Sequence, residues 1–192
     1  MDIQKLVKEN ILEHNQLFNN LDKKFLLDIE KIGKLIADSL KTGSTIFWFG
    51  NGGSASDAQH LSAELMGRFK KYRKPLRSIA LNSDTSLITC ISNDFSYADI
   101  YSRQIEALAR KNDILIGIST SGKSKNIINA FELSNKLNLK TIALLGKDGG
   151  AAISMCTNFL LVPSHTTARI QECHMMIGHI FCDIIETELG LN

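Results

Sequence analysis

Proline is scarce in this chain: 192 residues hold only Pro75 and Pro163, and no stretch reads as low-complexity sequence or as a linker. Nothing in the composition marks a domain boundary, so a single domain over 1–192 with a sizeable core is the expectation. Long apolar runs are missing too. None approaches the roughly 20 residues that span a bilayer, which argues against a membrane protein. The four cysteines, Cys90, Cys156, Cys173 and Cys182, are scattered without a C-x-x-C pair. They read as reduced packing thiols rather than as a disulfide framework. Charge of one sign is not in excess: 22 basic against 20 acidic residues leave a net +2, too little to imply a nucleic-acid or membrane partner. The opening Met1-Asp2-Ile3-Gln4-Lys5 leads into polar, helix-period sequence, so no secretory signal is expected. These absences point to a cytoplasmic protein, and its 44% hydrophobic and 22% charged residues are ordinary globular proportions.

What the chain does have is two strand-to-helix turns of one kind, about seventy residues apart. Ile46-Phe47-Trp48-Phe49 runs into Gly50-Asn51-Gly52-Gly53-Ser54-Ala55-Ser56, and Ile114-Leu115-Ile116-Gly117-Ile118 runs into Ser119-Thr120-Ser121-Gly122-Lys123-Ser124. Each apolar run has the length of a buried parallel strand. Small residues after it let backbone approach a ligand, and the new helix offers unpaired N–H groups to an anion. Two such loops on one sheet suggest a pocket that holds a phosphorylated molecule at both ends.

Around them the pattern alternates. Two helices, 3–20 and about 22–41, come first, with apolar stripes Ile3, Leu6, Val7, Ile11 and Phe25, Ile29, Ile32, Ile36, Leu40. Strands follow at 45–49, 77–81, 113–118, 140–145 and 158–162. Helical stretches lie between them at 53–67, 85–91, 97–109, 124–137 and near 150–155, and a closing helix covers 167–189. This is the pattern of a five-stranded parallel sheet covered on both faces. The leading pair, 1–42, is an appendage to an α/β core at 43–192, and such an appendage suits packing against another subunit.

The glycine-rich loop invites a dinucleotide-binding reading, but the acidic residue needed ~20 positions on is absent. Arg68, Lys70 and Lys71 stand there, and no G-K-[ST] completes a Walker loop. Asn51 and Ser54 favour a binding role over a tight turn alone. The serine-rich turn places four hydroxyls at one helix N-terminus, where simple capping needs one. Phosphate binding is the better reading. His60 and Glu64, four apart, share a helix face with Arg68; alone, such a pair is more often a surface ion pair. On the last helix, Gln171 and His179 flank an apolar face of Ile170, Cys173, Ile177, Ile180 and Ile184. They lie about 80° apart in projection and ~12 Å apart along the axis, so one ion is reached by both only if the side chains converge. Asn93-Asp94 lies in a polar break, 92–97, read as turn chemistry with a ligand-facing alternative. The basic run Arg68, Lys70, Lys71, Arg73, Lys74, Arg77 reads as a solvated loop able to steer an anion.

Taken together, Gly50-Asn51-Gly52-Gly53-Ser54-Ala55-Ser56-Asp57-Ala58-Gln59-His60 with Glu64, Ser92-Asn93-Asp94, the 119–124 turn, and Arg169-Ile170-Gln171-Glu172-x-His174 with His179 resemble the sugar-isomerase (SIS) domain family. Within it the chain closely resembles the phosphoheptose isomerases, over essentially its whole length. The resemblance implies a three-layer, flavodoxin-like SIS fold and conversion of sedoheptulose 7-phosphate to D-glycero-D-manno-heptose 7-phosphate. That is an early step toward the nucleotide-activated heptose of bacterial lipopolysaccharide or capsule. It further implies a cytoplasmic homotetramer with active sites between subunits. Asn51, Gly52, Gly53, Asn93, Asp94, Ser119, Thr120, Ser121 and Ser124 would bind substrate, with Ser54 and Gln171 beside them. Glu64 and His179 would be the acid/base pair, and His60, Glu64, Gln171 and His179 the ligands of one Zn2+. His174 matches the motif without an assigned chemistry. A Glu that ligates zinc is a poorer base. One carboxylate oxygen stays free, or the zinc is structural, or it polarises the sugar as a Lewis acid. The sequence also leaves open which subunit supplies His179. The alternative from another class is a non-catalytic SIS protein that binds the bacterial replication initiator. Such a protein would not need the catalytic residues present here. A paired-domain hexosamine-phosphate isomerase and a sugar-sensing DNA-binding regulator fit the short chain less well.

Overall fold

The structure is a computed structural model that describes residues 2–191. Met1 and Asn192, the outermost positions of the expected domain, lie outside the described residues. Helices α1 (Ile3–Asn19) and α2 (Lys23–Lys41) precede all strands. Each starts at an aspartate: Asp2 accepts from Gln4 N at 3.0 Å and Asp22 from Phe25 N at 2.7 Å, satisfying helix N–H groups that have no carbonyl partner. Strands β1 (Ile46–Gly50), β2 (Ser78–Ala80), β3 (Ile114–Ser119), β4 (Lys140–Leu145) and β5 (Asn158–Leu161) form one parallel sheet in the order β2-β1-β3-β4-β5. The remaining helices are α3 (Gly53–Met66), α4 (Thr85–Asp94), α5 (Ser102–Leu108), α6 (Lys125–Lys136) and α7 (Thr167–Glu188). Short 3-10 turns cover Tyr97–Asp99 and Ala151–Ser154.

The expected α/β architecture is therefore present, with strand bounds within a residue or two. The chain leaves β1 for one side of the sheet and reaches β3 on the other. That switch point, between the C-terminal ends of β1 and β3, is where open α/β sheets bind ligands. Two apolar cores flank the sheet. On one face Ile36, Trp48, Leu61, Ile116, Ile177 and Phe181 bury the inner sides of α2, α3 and α7. On the other, Phe47, Phe49, Tyr101, Ile105, Leu115 and Phe131 bury those of α5 and α6. β1 and β3 are buried along their whole length, as expected of strands covered on both sides.

Three sequence expectations need correction. Asn93 and Asp94 do not lie in a break, because α4 runs through to Asp94; the real interruption falls at Phe95–Ser96, before the 3-10 turn. The basic run is not uniformly solvated. The Arg73 side chain is 2% exposed and pairs with the 1% exposed Glu186 at 2.8 Å, and it also donates to Leu65 O at 2.9 Å and Glu64 O at 2.8 Å. The buried face of α7 is rotated from the expected stripe. Phe181 and Ile185 are buried with Ile170, Cys173 and Ile177, while Ile180 lines a cavity and Ile184 packs against Gly33 of α2. The stripe Ile3, Leu6, Val7, Ile11 on α1 is exposed within one chain, between 41% and 65%. Among the described residues no helix is long and apolar enough to cross a membrane.

Candidate active site

The first loop is shaped by glycine. Gly52 has φ +57 and caps α3, a conformation L side chains rarely adopt. At Gly53 a Cβ would collide with the Gln171 amide of α7, so this glycine lets α7 close over the loop. Asn51 stands at the rim, half-buried, in a reciprocal pair with Asn126 of α6: each side-chain amide donates to the other's oxygen at 2.9 Å. Tyr97 OH donates to Asn51 Oδ1 at 3.0 Å, and Tyr101 OH donates to Gly50 O. Ser54 is 3% exposed, beneath the loop.

The second loop leaves β3 at the same end of the sheet. Ser119 Oγ accepts from Gly122 N at 3.0 Å and Ser121 Oγ from Lys123 N at 3.3 Å, folding the turn on itself. Gly122, at φ +63, lies against the backbone of Gly149 and Gly150. Ser124 is the N-cap of α6, yet its side chain caps nothing. Among the described residues the hydroxyls of Thr120 and Ser124 have no protein partner, which leaves them for a ligand beside the helix N-terminus.

Glu64, His60 and His179 meet within one chain. His60 Nε2 stands 3.1 Å from Glu64 Oε1 and 3.3 Å from His179 Nε2. Their ligand atoms all lie within 4.8 Å of one another. The close crossing of α3 and α7 makes this possible: a Cβ on Gly178 would strike Leu61 of α3, so the glycine brings its neighbour His179 beside His60. Phe69 stacks on the His179 ring at 5.6 Å between centroids. A single imidazole proton cannot satisfy two facing ring nitrogens and a carboxylate together. A cation would satisfy all three: ligands at about 2.0–2.1 Å around tetrahedral zinc lie roughly 3.3 Å apart, close to the two His60 separations of 3.1 and 3.3 Å. Gln171, expected as a fourth ligand, lies against Gly53 and lines the same cavity of about 650 Å³ as His179. Asn93 and Asp94 are exposed at the end of α4 and bond to each other, Nδ2 to Oδ1 at 2.7 Å.

Some residues here were not singled out from the sequence. Asp57, one turn before His60, faces that cavity with Oδ2 buried and unpartnered among the described residues; burial raises its carboxyl to about 6. Its place in the 57-60-64 row was a spacing signal. Asn126, Tyr97 and Tyr101 act on Asn51 from elements remote in sequence, and no local pattern marks them. His174, on the buried side of α7, bonds to Leu145 O at 3.0 Å and is pushed down to about 4 by burial.

A five-stranded parallel sheet with two anion-ready loops at its switch point and a histidine–carboxylate cluster beside them defines a sugar-phosphate-handling α/β protein. The chain belongs to the SIS-domain family, whose sequence pattern (SIS domain) matches residues 11–146, and within it to the phosphoheptose isomerases. It is 47% identical over 180 residues to the phosphoheptose isomerase of a Nitratiruptor species, covering 94% of this chain and 96% of that protein. It is 52% identical over 158 residues to that of Campylobacter jejuni, covering 82% and 85%. The solved phosphoheptose isomerase of Francisella tularensis superposes with a TM-score of 0.94 at 35% identity, covering 97% of this chain and all of that one. The family is one of sugar-phosphate isomerases, and this chain is an enzyme of that class.

Proposed function

We propose that the enzyme interconverts sedoheptulose 7-phosphate and D-glycero-D-manno-heptose 7-phosphate through a cis-enediol, serving lipopolysaccharide or capsule heptose synthesis. The observation that carries this is Glu64 held beside His60 and His179 at the C-terminal end of the sheet, with the serine-rich turn following the adjacent strand. Moving a proton between C1 and C2 requires one base near both carbons. Glu64 Oε1 faces His60, and Oε2 has no partner among the described residues, so one carboxylate oxygen remains for the proton. His179, whose imidazole can both give and take a proton, exchanges protons with O1 and O2. Thr120, Ser121 and Ser124 with the α6 N-terminus hold the 7-phosphate. Binding so far from the chemistry orients C1 and C2.

Asn51, clamped by Asn126 and Tyr97, presents its amide to the sugar chain, with Gly52, Gly53, Ser54, Asn93, Asp94, Ser119 and Gln171 completing the pocket. His60, Glu64, Gln171 and His179 would hold one Zn2+, which when bound supplies a positive charge near the developing oxyanion. The whole chain forms one SIS domain with 1–42 as its helical extension. It works in the cytoplasm as a homotetramer whose exposed α1 stripe supports packing between subunits. The test is sedoheptulose 7-phosphate with purified enzyme in deuterated water, followed by NMR. An aldoheptose 7-phosphate deuterated at C2 is expected. No conversion with or without zinc would transfer the reading to the initiator-binding adaptor.

A further inference from the structure

At the opposite end of the sheet from the active site, a cavity of about 460 Å³ opens below the N-terminal ends of β1 and β3. That volume falls within the range of small-molecule pockets. Arg77, Arg110 and Lys111 line it. Among the described residues none of the three is ion-paired, whereas lysines on α1 and α2 pair with acids at 2.6–3.8 Å. One carboxylate, Asp113, belongs to the cavity, but it is 4% exposed and spent on backbone: Oδ1 accepts from Thr45 N and Oδ2 from Arg110 N, each at 2.7 Å. Arg77 donates Nε to Thr45 Oγ1 at 3.1 Å, which orients the guanidinium and leaves its two terminal nitrogens without a partner among the described residues. Three cations against the single Asp113 carboxylate leave the hollow net positive, which attracts an anion. The cavity also has an apolar side, formed by Ile79 and Leu108, which are 36% and 46% exposed.

We propose that this cavity is a second ligand site, separate from the sugar-phosphate pocket, for a phosphoanhydride that carries a flat apolar group, of which a nucleoside diphosphate is the simplest form. Arg77 and Arg110 suit bidentate contact with phosphate oxygens, Lys111 adds a point charge, and Ile79 with Leu108 receives the base. The strands that start at this cavity end in the two active-site loops, roughly 17 Å away along the strand, so the two sites do not overlap.

The test is calorimetric titration of the full-length protein with ADP, pyrophosphate and inorganic phosphate. It compares the wild type with Arg110→Ala/Lys111→Ala and with Ser121→Ala/Ser124→Ala. The two cations are solvent-exposed, so their removal leaves the fold and the isomerase turnover intact. ADP affinity should fall about tenfold or more in the cation variant, the loss of charge-assisted phosphate contacts. It should stay within about twofold of wild type in the serine variant and exceed that of pyrophosphate. Absence of ADP binding up to millimolar concentration would overturn the proposal. So would binding that the serine variant loses and the cation variant keeps, and equal affinity for ADP and pyrophosphate would remove the nucleotide assignment.

Discussion

Replacing His174 with glutamine tests how α7 is fixed to the sheet. His174 is fully buried, and its Nε2 must carry the ring proton because Leu145 O can only accept. Nδ1 is then a bare acceptor with no partner among the described residues. Protonation would place a charge in an apolar site, and burial holds the ring to about 4 in place of the usual 6.5. The unfolded chain takes up this proton near pH 6.5, whereas the folded chain refuses it until about pH 4. Between those values the unfolded state binds more protons, so stability falls as pH falls. The penalty is absent above pH 6.5 and reaches about 3 kcal/mol near pH 4, at ~1.4 kcal/mol per pH unit. His174→Gln keeps an N–H for Leu145 and removes the titration. At pH 7.5 it should be less stable than wild type by about 1–2 kcal/mol through imperfect packing. That deficit should shrink and reverse as pH falls below about 5. Urea denaturation at pH 7.5, 6, 5 and 4.5, at fixed protein concentration, gives both curves, and carboxylate titrations common to both cancel in the difference. Parallel curves across this range would refute the reasoning.

Arg73→Ala leaves Glu186 charged and buried without its partner, which should cost about 3–5 kcal/mol, read as a lowered denaturation midpoint; a loss under 1 kcal/mol would contradict the buried pair. Gly178→Ala should gain helix propensity yet wedge α3 from α7 at Leu61, with net destabilisation of about 0–2 kcal/mol. Because the wedge separates His179 from His60, zinc affinity and kcat should fall about tenfold or more, and unchanged metal binding would show that the crossing tolerates the methyl. Glu64→Gln should lower kcat by about 10²–10⁴-fold with substrate still binding, measured by the NMR assay and by calorimetry; full turnover would remove Glu64 as the base. Ser124→Ala should raise KM about five- to tenfold, equivalent to ~1–1.4 kcal/mol of charge-assisted hydrogen bonding, while kcat changes little; an unchanged KM would remove it from the phosphate site.

Much of the molecule was legible locally because the signals are local. The alternation of apolar strands with helix-period segments has a physical cause: a strand covered on both faces must be continuously apolar. Glycines and hydroxyls at the strand ends mark places where backbone approaches a ligand. Those features determined the five-stranded α/β class and located both loops. The break expected over 92–97 narrowed to Phe95–Ser96, because Ser92, Asn93 and Asp94 read as turn formers although the end of a helix accommodates them. Arg73 was taken as solvated because its partner, Glu186, lies 113 residues away.

The sequence by itself thus determined the elements, their order, and the residue types offered at each loop and helix face. The tertiary structure alone decided which faces meet. On the separate helices His60-Glu64 was an ordinary ion pair and His179 a half-buried histidine. Only the crossing of α3 and α7 over Gly178 and Leu61 set three ligand atoms within 4.8 Å of one another. Packing of α7 on β4 likewise fixed His174 against Leu145, and α6 with the 97–101 segment clamped Asn51. Periodicity specifies the face of a helix, but convergence of side chains depends on inter-element distances, which the chain sets only when its small residues let the helices pack closely.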